Sequence, residues 1–379
     1  MIKLNSYFSY NTKKLPPGCQ YCIKGQKLVL FITGICPRKC YFCPLSDKKY
    51  GKDVIFANER AVTSFQDVVL EVENMRAKGA GITGGDPLAK LDRTVDYITK
   101  FKQKYGKRFH IHLYTSLNLV TKKSLQSLFD AGLDEIRFHP DLDSQRFWKN
   151  IELAKQFSWD VGMEIPLIPT KEKETKLLFD YVHDKVSFIN LNELEVADNE
   201  TSKLNEMGFV VKDELSYAVK GSLQFGLRMI AYAKLKKYAP AIHLCTAKLK
   251  DGVQLANRLK RQGKYSKMVF DSIDREGLLT RGVLYLPKLA PGFGYQKSLE
   301  SIDKNVFVRK LQSYFDSIQD KLNLPEGHMK IDTLKPRILL SRKMIVKHKD
   351  FFLDLGLIPA IVKEYPTADR LEVEIEFLK

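Results

Sequence analysis

Residues 27–45 read KLVLFITGICPRKCYFCPL, and this stretch decides the fold and the chemistry of the chain. Its apolar first half, Lys27–Ile35, predicts a β-strand, and Cys36, Cys40 and Cys43 follow in a C-x₃-C-x₂-C spacing. Three thiolates on one short loop can hold three irons of a 4Fe–4S cluster and leave the fourth iron open to a substrate or cofactor. The alternative is a zinc site, but zinc sites usually show paired C-x₂-C spacing and four ligands. The spacing therefore favours a cluster.

Beyond this stretch, short β-rich runs alternate with helical segments up to about residue 200. The predicted strands are Lys27–Ile35, Ala80–Thr83, Arg108–Ser116, Glu135–Pro140, Val161–Ile168 and Phe188–Glu195. Six strands separated by five helices predict parallel βα units, in an open doubly wound sheet or in a full or partial βα barrel. Leu, Val, Ile and Phe run almost continuously through these strands, which predicts that both faces of the sheet are buried.

The cysteine motif, with Phe42 directly before its last cysteine, resembles the signature of the radical S-adenosylmethionine (radical SAM) enzymes. In that family the open iron binds the amino and carboxylate groups of S-adenosylmethionine, and the aromatic residue lies near the adenine. The resemblance covers roughly residues 25–200. It implies an α/β fold with a partial (β/α)6 barrel, followed here by a smaller C-terminal α+β domain. Within the superfamily, the chain is most similar to a largely archaeal group related to pyruvate formate-lyase activating enzymes.

The turn formed by Gly84, Gly85, Asp86 and Pro87 follows the second predicted strand and resembles the family's G-G-E-P motif. In the family, the backbone and the acidic residue of this motif hold the methionine amino group, which implies the same role here. Asp86 replaces the usual Glu, and its shorter side chain reduces the reach of the carboxylate. Without the family context, the same four residues are a generic turn.

Polar residues near the ends of later strands extend the predicted cofactor site, because βα-barrel sites are built at the C-terminal ends of strands. Ser116 ends the third predicted strand, and its hydroxyl suits the cofactor ribose. Arg137, near the end of the fourth, can pair with the methionine carboxylate. Further candidates at this edge are Thr115, Asn118, His139 and Glu164. The alternative for all of them is strand capping or a surface position.

The cysteines outside the signature predict a second metal site. Cys19 and Cys22 form C-x₂-C before the first strand, and His243 and Cys245 form H-x-C after the barrel segment. Two close pairs separated by a long stretch of chain are the usual way to build a tetrahedral site. Zinc with Cys₃His ligation fits this donor set, and so does an auxiliary Fe–S cluster. The alternative is that all four are ordinary buried residues.

Composition limits the class of protein. The 379 residues include 62 Lys and Arg against 45 Asp and Glu, so this basic protein carries a net charge of +17. A hydrophobic fraction of 44% excludes intrinsic disorder. The longest apolar stretch, Leu28–Cys36, is far shorter than the roughly 20 residues of a membrane span. The N-terminus lacks a secretion signal, so we expect a cytoplasmic protein whose cysteines bind metal or react.

The positive charge is concentrated in one part of the chain. Between Lys234 and Lys267 there are ten basic residues and one acidic residue, Asp251, which is over half of the total excess. Clustered Lys and Arg are typical of a surface that binds phosphates, so this run predicts contact with tRNA or another RNA. The alternative is a solvated helix face.

These patterns predict four segments: an N-terminal cysteine-containing loop (1–26), a radical SAM core barrel (27–200), a helical, strongly basic segment (201–264) and an α+β domain (265–379). The resemblance implies that the reduced cluster cleaves S-adenosylmethionine to a 5′-deoxyadenosyl radical, which abstracts hydrogen from a substrate. It also implies an electron donor such as ferredoxin or flavodoxin. The basic run favours RNA modification. One alternative is an activating enzyme that makes a glycyl radical on a protein partner, and a second is a non-catalytic, metal-stabilised nucleic-acid-binding protein.

Overall fold

The computed structural model describes residues 3–379, apart from the side chain of Gln296. The chain divides into two compact units, the first ending at Arg258 and the second beginning at Leu259. Within residues 3–379, no helix is both long and apolar enough to cross a membrane.

The first unit is built on one sheet. Its strands are β1 (Tyr10–Asn11), β2 (Lys27–Phe31), β3 (Phe56–Ala57), β4 (Arg60–Ala61), β5 (Gly79–Thr83), β6 (His110–Ser116), β7 (Glu135–His139), β8 (Asp160–Leu167), β9 (Phe188–Glu193) and β10 (Ala241–Cys245). Its helices are α1 (Pro17–Ile23), α2 (Phe65–Met75), α3 (Leu91–Tyr105), α4 (Lys122–Asp130), α5 (Glu172–Val182), α6 (Ser222–Leu235) and α7 (Ala247–Leu249), with 3₁₀ segments at Pro87–Lys90 and Trp148–Gln156 and a π-helical segment at Lys250–Leu255. Helix α8 (Ala256–Ser266) begins in this unit and ends in the second.

The sheet order is β1-β10-β9-β8-β7-β6-β5-β2-β3-β4. Strands β2 and β5 to β10 are parallel, and each is paired with the next in this order. The predicted α/β architecture of a partial (β/α)6 barrel is therefore confirmed, and β10 adds a seventh parallel strand to the six expected. The segment 201–264 is thus not only helical, because β10 lies within it.

Both faces of these strands are largely buried, as predicted, but the two faces are not equally apolar. In β6, Ile111 and Leu113 are completely buried in the core formed with the helices. His112 and Tyr114 alternate with them and contact Lys27 of β2 on the other face of the sheet. One face of the sheet therefore forms the apolar core under the helices, and the concave face carries the polar side chains.

Helix α1 occupies this concave face, so residues 1–26 are more than a loop. A Cβ on Gly18 would lie 2.7 Å from both the Arg137 guanidinium and the His112 ring, so only glycine allows this approach. The Gly18 amide also donates a hydrogen bond to Glu135 at 3.2 Å. Strand β1 pairs antiparallel with β10, which ties the N-terminus to the far edge of the parallel strands.

The second unit has the α+β composition expected for the C-terminal domain. Its strands are β11 (Ser272–Ile273), β12 (Leu279–Tyr285), β13 (Met329–Asp332), β14 (Arg337–Leu340), β15 (Ile358–Glu364) and β16 (Glu372–Phe377). Its helices are α9 (Tyr295–Ser301), α10 (Lys304–Leu322), α11 (Arg342–Lys347) and α12 (Lys349–Asp354), with a 3₁₀ turn at Pro287–Leu289. The strands pair antiparallel in the order β13-β14-β12-β15-β16, with β11 on β12. Arg337, fully buried, binds Asp332, Glu364 and Glu372 across this sheet.

Candidate functional site

The signature loop, residues 36–43, follows β2 at the C-terminal edge of the sheet. Cys36, Cys40 and Cys43 are free, partly buried thiols, and the Arg38 amide donates a 3.4 Å hydrogen bond to the Cys36 sulfur. Burial raises the pKa of the Cys36 thiol to about 11. The Arg38 guanidinium donates a 2.8 Å hydrogen bond to the His139 carbonyl, which ties the loop to the end of β7.

These three thiols fit a 4Fe–4S cluster better than a single ion. Among residues 3–379, no three His, Cys, Asp or Glu side chains are arranged to hold one metal ion. In a cluster each thiolate binds a different iron, so the sulfurs stand farther apart than around one zinc. Three unpaired thiols on one short loop are the donor set that such a cluster needs.

The turn at residues 84–87 lies directly against the chain that leads into the signature loop. The Gly85 amide donates to the Thr33 carbonyl at 2.7 Å, and the Asp86 amide donates to the Ile35 carbonyl at 2.9 Å. A Cβ on Gly85 would lie only 2.5 Å from the Ile35 oxygen. Glycine is therefore required here because two backbones meet one residue before Cys36.

The side chain of Asp86 points into the protein. One carboxylate oxygen accepts hydrogen bonds from the Thr115 hydroxyl at 2.7 Å and the Leu88 amide at 3.0 Å. The other accepts from the Ser116 hydroxyl at 2.6 Å and the Ser116 amide at 3.1 Å. Burial raises the pKa of this carboxyl. Asp86 and Ser116 therefore bind each other and join the turn to β6, and their direct contacts with a cofactor stay a prediction.

Arg137 is also engaged within the protein. Its side chain is 2% exposed and makes ion pairs with Glu135 at 2.5 Å and Glu164 at 3.0 Å. The guanidinium also donates to the Tyr114 hydroxyl at 3.2 Å and to the Cys19 sulfur at 3.4 Å. These contacts place Arg137 in the interior of the barrel, and its pairing with a methionine carboxylate stays a prediction.

Two cavities meet beside the signature loop. A cleft of about 300 Å³ lies between the loop and the ends of β6, β7 and β8, and a chamber of about 460 Å³ lies inside the barrel. Phe42, His139 and Pro166 line both cavities. The Phe42 and His139 rings lie 5.9 Å apart, and burial lowers the pKa of His139 to about 4, so its ring is neutral at neutral pH. Phe42, which the family resemblance places near the adenine, therefore lies in the walls of both cavities.

The wall of the chamber contains Glu164, a candidate from the sequence, and polar residues that the sequence interpretation did not select: Lys27, Tyr114, Asn190 and Asn192. Glu164 accepts 2.8 Å hydrogen bonds from the amides of Asn190 and Asn192 in addition to its pair with Arg137. Burial alone would raise the pKa of Glu164, but Arg137 and the two amides bring it below its ordinary value. Lys27 and Tyr114 complete this wall. The sequence feature that could have identified these residues is the alternation of polar with apolar residues in β6 to β10.

The second predicted ligand set lies around the same chamber. Cys19 and Cys22 come from α1, and His243 and Cys245 come from adjacent inward positions of β10. All four line the chamber although more than 200 residues separate the two pairs. The structure therefore brings these four residues together, while no three of them are arranged around a single ion within residues 3–379.

The basic run does not form one surface in the first unit. Lys234, at the end of α6, precedes β10, whereas Lys248, in α7, follows it, so the two lie at opposite ends of this strand. Two further cations are paired with acids, Lys250 with Glu195 and Arg258 with Glu59. The last four basic residues belong to the second unit. These positions are Lys260, Arg261, Lys264 and Lys267.

The chain matches known proteins along its whole length and in its core. Residues 30–181 match the model of the radical SAM superfamily. A Methanocaldococcus jannaschii protein, provisionally named as a glycyl-radical enzyme activating enzyme, is 36% identical over 98% of this chain and 95% of its own. Methylornithine synthase has a TM-score of 0.40 at 14% identity and covers 57% of this chain, but the match spans only 63% of that structure. Coproporphyrinogen III oxidase from Escherichia coli has a TM-score of 0.36 at 11% identity, covering 88% and 91% of the two chains. The full-length relative and the family match together show that this chain belongs to the radical SAM superfamily, as an enzyme with a 4Fe–4S cluster and S-adenosylmethionine as its cofactors.

Proposed function

We propose that this enzyme generates a glycyl radical on a protein partner, a loop of which enters the barrel chamber beside the signature loop. The M. jannaschii relative, which covers both units of this chain, has a name that points to this activity. The structural observation that carries the proposal is a segment within the connection from β9 to α6, residues 196–221, which we term the rim segment.

The rim segment is bound to the signature loop and exposes apolar side chains. The Asn199 amide group donates to the carbonyls of Cys43 at 3.2 Å and Leu45 at 2.9 Å. Lys203 donates its backbone N–H to the Tyr41 carbonyl at 2.6 Å. Large apolar side chains on this segment are more than half exposed: Met207, Val210, Leu215 and Tyr217. Exposed apolar groups concentrated in one segment mark a protein interaction site. Because this segment is hydrogen-bonded to the signature loop, whose Phe42 lines the chamber, its exposed apolar groups support a protein substrate.

Within this proposal, Cys36, Cys40 and Cys43 hold the cluster, which supplies the electron that cleaves S-adenosylmethionine and so creates the hydrogen-abstracting radical. A low-potential donor such as ferredoxin or flavodoxin provides that electron. The turn at residues 84–87 holds the backbone that leads into the signature loop in place beside the cofactor: Gly84, Gly85, Asp86 and Pro87. Phe42 orients the adenine, and Ser116 and Arg137 support the edge from β6 and β7. The chamber walls keep water away from the reacting carbon, which protects a radical from side reactions.

RNA modification is not part of this proposal, because the basic run that favoured it is divided between the two ends of β10. The non-catalytic alternative is excluded because the chain is a radical SAM enzyme. The remaining choice between a protein and an RNA substrate can be settled by the origin of the abstracted hydrogen.

The test is deuterium transfer from glycine. Cells that carry this protein naturally, with its gene deleted, are grown on glycine deuterated at the α-carbon. Their extract is then incubated anaerobically with the reconstituted enzyme, dithionite and unlabelled S-adenosylmethionine. We expect 5′-deoxyadenosine with one added deuterium, lost when the extract is treated with protease and retained after ribonuclease treatment. An unlabelled product, or label lost only after ribonuclease treatment, would overturn the proposal. An extract from cells grown on unlabelled glycine is the control.

A further inference from the structure

The chamber contains a set of soft donors that the radical SAM reaction does not use. Cys19 and Cys22 are three residues apart on α1 and so lie on one face of that helix. His243 and Cys245 are two residues apart on β10 and face the same side of the sheet. Residues from both elements line the one chamber of about 460 Å³. Three thiols and an imidazole that line one cavity are a donor set that selects zinc, copper(I) or iron–sulfur clusters.

The imidazole is available as a ligand. His243 is 3% exposed, and its Nδ1 has no hydrogen-bond partner. Its other nitrogen, Nε2, lies 3.3 Å from the hydroxyl of Ser9, itself completely buried. Metal-binding histidines usually have their second nitrogen fixed by such a hydrogen bond. A buried nitrogen without a partner costs free energy, which a ligand in the chamber would recover.

The surroundings supply hydrogen bonds to two of the sulfurs. The Cys19 sulfur accepts hydrogen bonds from the Arg137 guanidinium at 3.4 Å and from the Asn190 amide at 3.3 Å. Gln254 donates to the Cys245 sulfur at 3.7 Å. Lys27 and Lys250 add cations to the chamber wall, which also carries the carboxylates of Glu164, Glu193 and Glu195. Hydrogen bonds to sulfur and nearby positive charge are the means by which proteins stabilise iron–sulfur clusters and set their potentials.

Hydrogen bonds to two of the sulfurs favour an iron–sulfur cluster over a single ion. No three of these side chains are arranged around one ion within residues 3–379, and the same is true of the three signature cysteines. A cluster takes each ligand on a different iron and therefore accepts wider spacing. We infer that Cys19, Cys22, Cys245 and His243 hold a second iron–sulfur cluster inside the barrel chamber. This inference does not depend on the identity of the partner.

The test counts metal in a full-length variant that lacks the first cluster. In Cys36→Ala/Cys40→Ala/Cys43→Ala, anaerobic reconstitution with iron, sulfide and an equal amount of zinc should leave about four irons and four sulfides per chain. The wild type, with both clusters, should hold about twice as much iron and sulfide per chain. Adding Cys22→Ser should reduce the iron in the triple variant at least fourfold. Cys22 is only partly buried, so this change should leave the fold intact, which tryptophan fluorescence checks. Gln20→Ala on the same helix does not line the chamber and should leave the iron unchanged.

Two results would contradict the second cluster. One zinc per chain without sulfide would overturn the cluster in favour of a tetrahedral ion. If the triple variant holds no more metal than the same variant with Cys22→Ser added, the second metal site does not exist. Electron paramagnetic resonance of the reduced triple variant should show a cluster signal that His243→Gln alters in shape. A failure here leaves the deuterium-transfer result untouched, because metal content is measured without partner or S-adenosylmethionine.

Discussion

The hydroxyl of Ser116 donates a 2.6 Å hydrogen bond to the carboxylate of Asp86, which connects the end of β6 to the turn that borders the signature loop. Asp86 also accepts hydrogen bonds from Thr115 and Leu88. Its carboxylate therefore connects the turn, the 3₁₀ segment after it and the end of β6. The residues that resemble a cofactor-binding motif therefore have a structural role that can be measured without the cofactor.

Ser116→Ala should destabilise the first unit by about 2 kcal/mol, since it removes a hydrogen bond to a buried charged group. Both tryptophans, Trp148 and Trp159, lie in the first unit, so their fluorescence in urea follows its unfolding alone. Ser127→Ala, which removes an exposed hydroxyl bonded to the Lys123 carbonyl, should cost less than about 0.5 kcal/mol. Equal losses for the two variants would show that the Asp86–Ser116 bond adds nothing.

Gly85→Ala should reduce iron uptake by the signature loop severalfold while leaving the second unit folded. Its Cβ would lie 2.5 Å from the Ile35 oxygen, so the chain entering Cys36 must move. Iron per chain after anaerobic reconstitution is the measurement. Gly292→Ala, where no atom lies within 4 Å of the added Cβ, is the control. Unchanged iron in Gly85→Ala would show that the loop tolerates this displacement.

Arg137→Met should destabilise the first unit by about 3–5 kcal/mol, because it leaves Glu135 and Glu164 buried without their cation. The triple change Arg137→Met/Glu135→Gln/Glu164→Gln should recover much of this loss, since no uncompensated charge remains. Tryptophan fluorescence in urea compares the two variants. If the triple variant is as unstable as the single one, lost packing and not charge explains the effect.

Acidification from pH 7 towards pH 5 should destabilise the first unit. Burial lowers the pKa of His112 well below 6.5. Below pH 6.5, His112 therefore binds a proton in the unfolded chain but stays neutral in the folded protein. Stability from this group is therefore complete above pH 6.5 and falls as the pH decreases. His112→Asn should flatten the pH dependence of the urea midpoint. His328→Gln, at an exposed site in the second unit, should leave the pH dependence unchanged.

Leu215→Asp should weaken the partner reaction without affecting cofactor cleavage. Leu215 is completely exposed on the rim segment, so a charge there leaves the fold intact and disfavours an apolar contact. Deuterium transfer from labelled extract should fall about tenfold, while 5′-deoxyadenosine formed without extract stays at the wild-type rate. Leu235→Asp, at a residue 80% exposed near the end of α6, is the matched control. Equal transfer by both variants would place the partner elsewhere.

Much of the first unit could be predicted from local patterns. The six predicted strands lie where β2 and β5 to β9 are found. Strand β10 was missed because it has only five residues and two of them, His243 and Cys245, are not typical strand formers. The polar face of the sheet was missed because the apolar residues were read as continuous, although they alternate with charged and aromatic ones.

The sequence by itself determined the chemistry that depends on neighbours along the chain. Three cysteines within eight residues, and a turn that follows a strand, are local features. They indicate the same chemistry wherever they occur in parallel βα units. Periodicity also determined which residues of a strand share a face.

Only the tertiary structure decided what those faces meet. Arg137 pairs with Glu164 because β7 and β8 are neighbours in the sheet, and Asp86 binds Ser116 because the turn after β5 lies beside the end of β6. Cys19 and Cys245 face one chamber because α1 enters the barrel and β10 joins its edge. Contacts between residues so far apart in the chain depend on packing of the whole sheet, which no local pattern encodes.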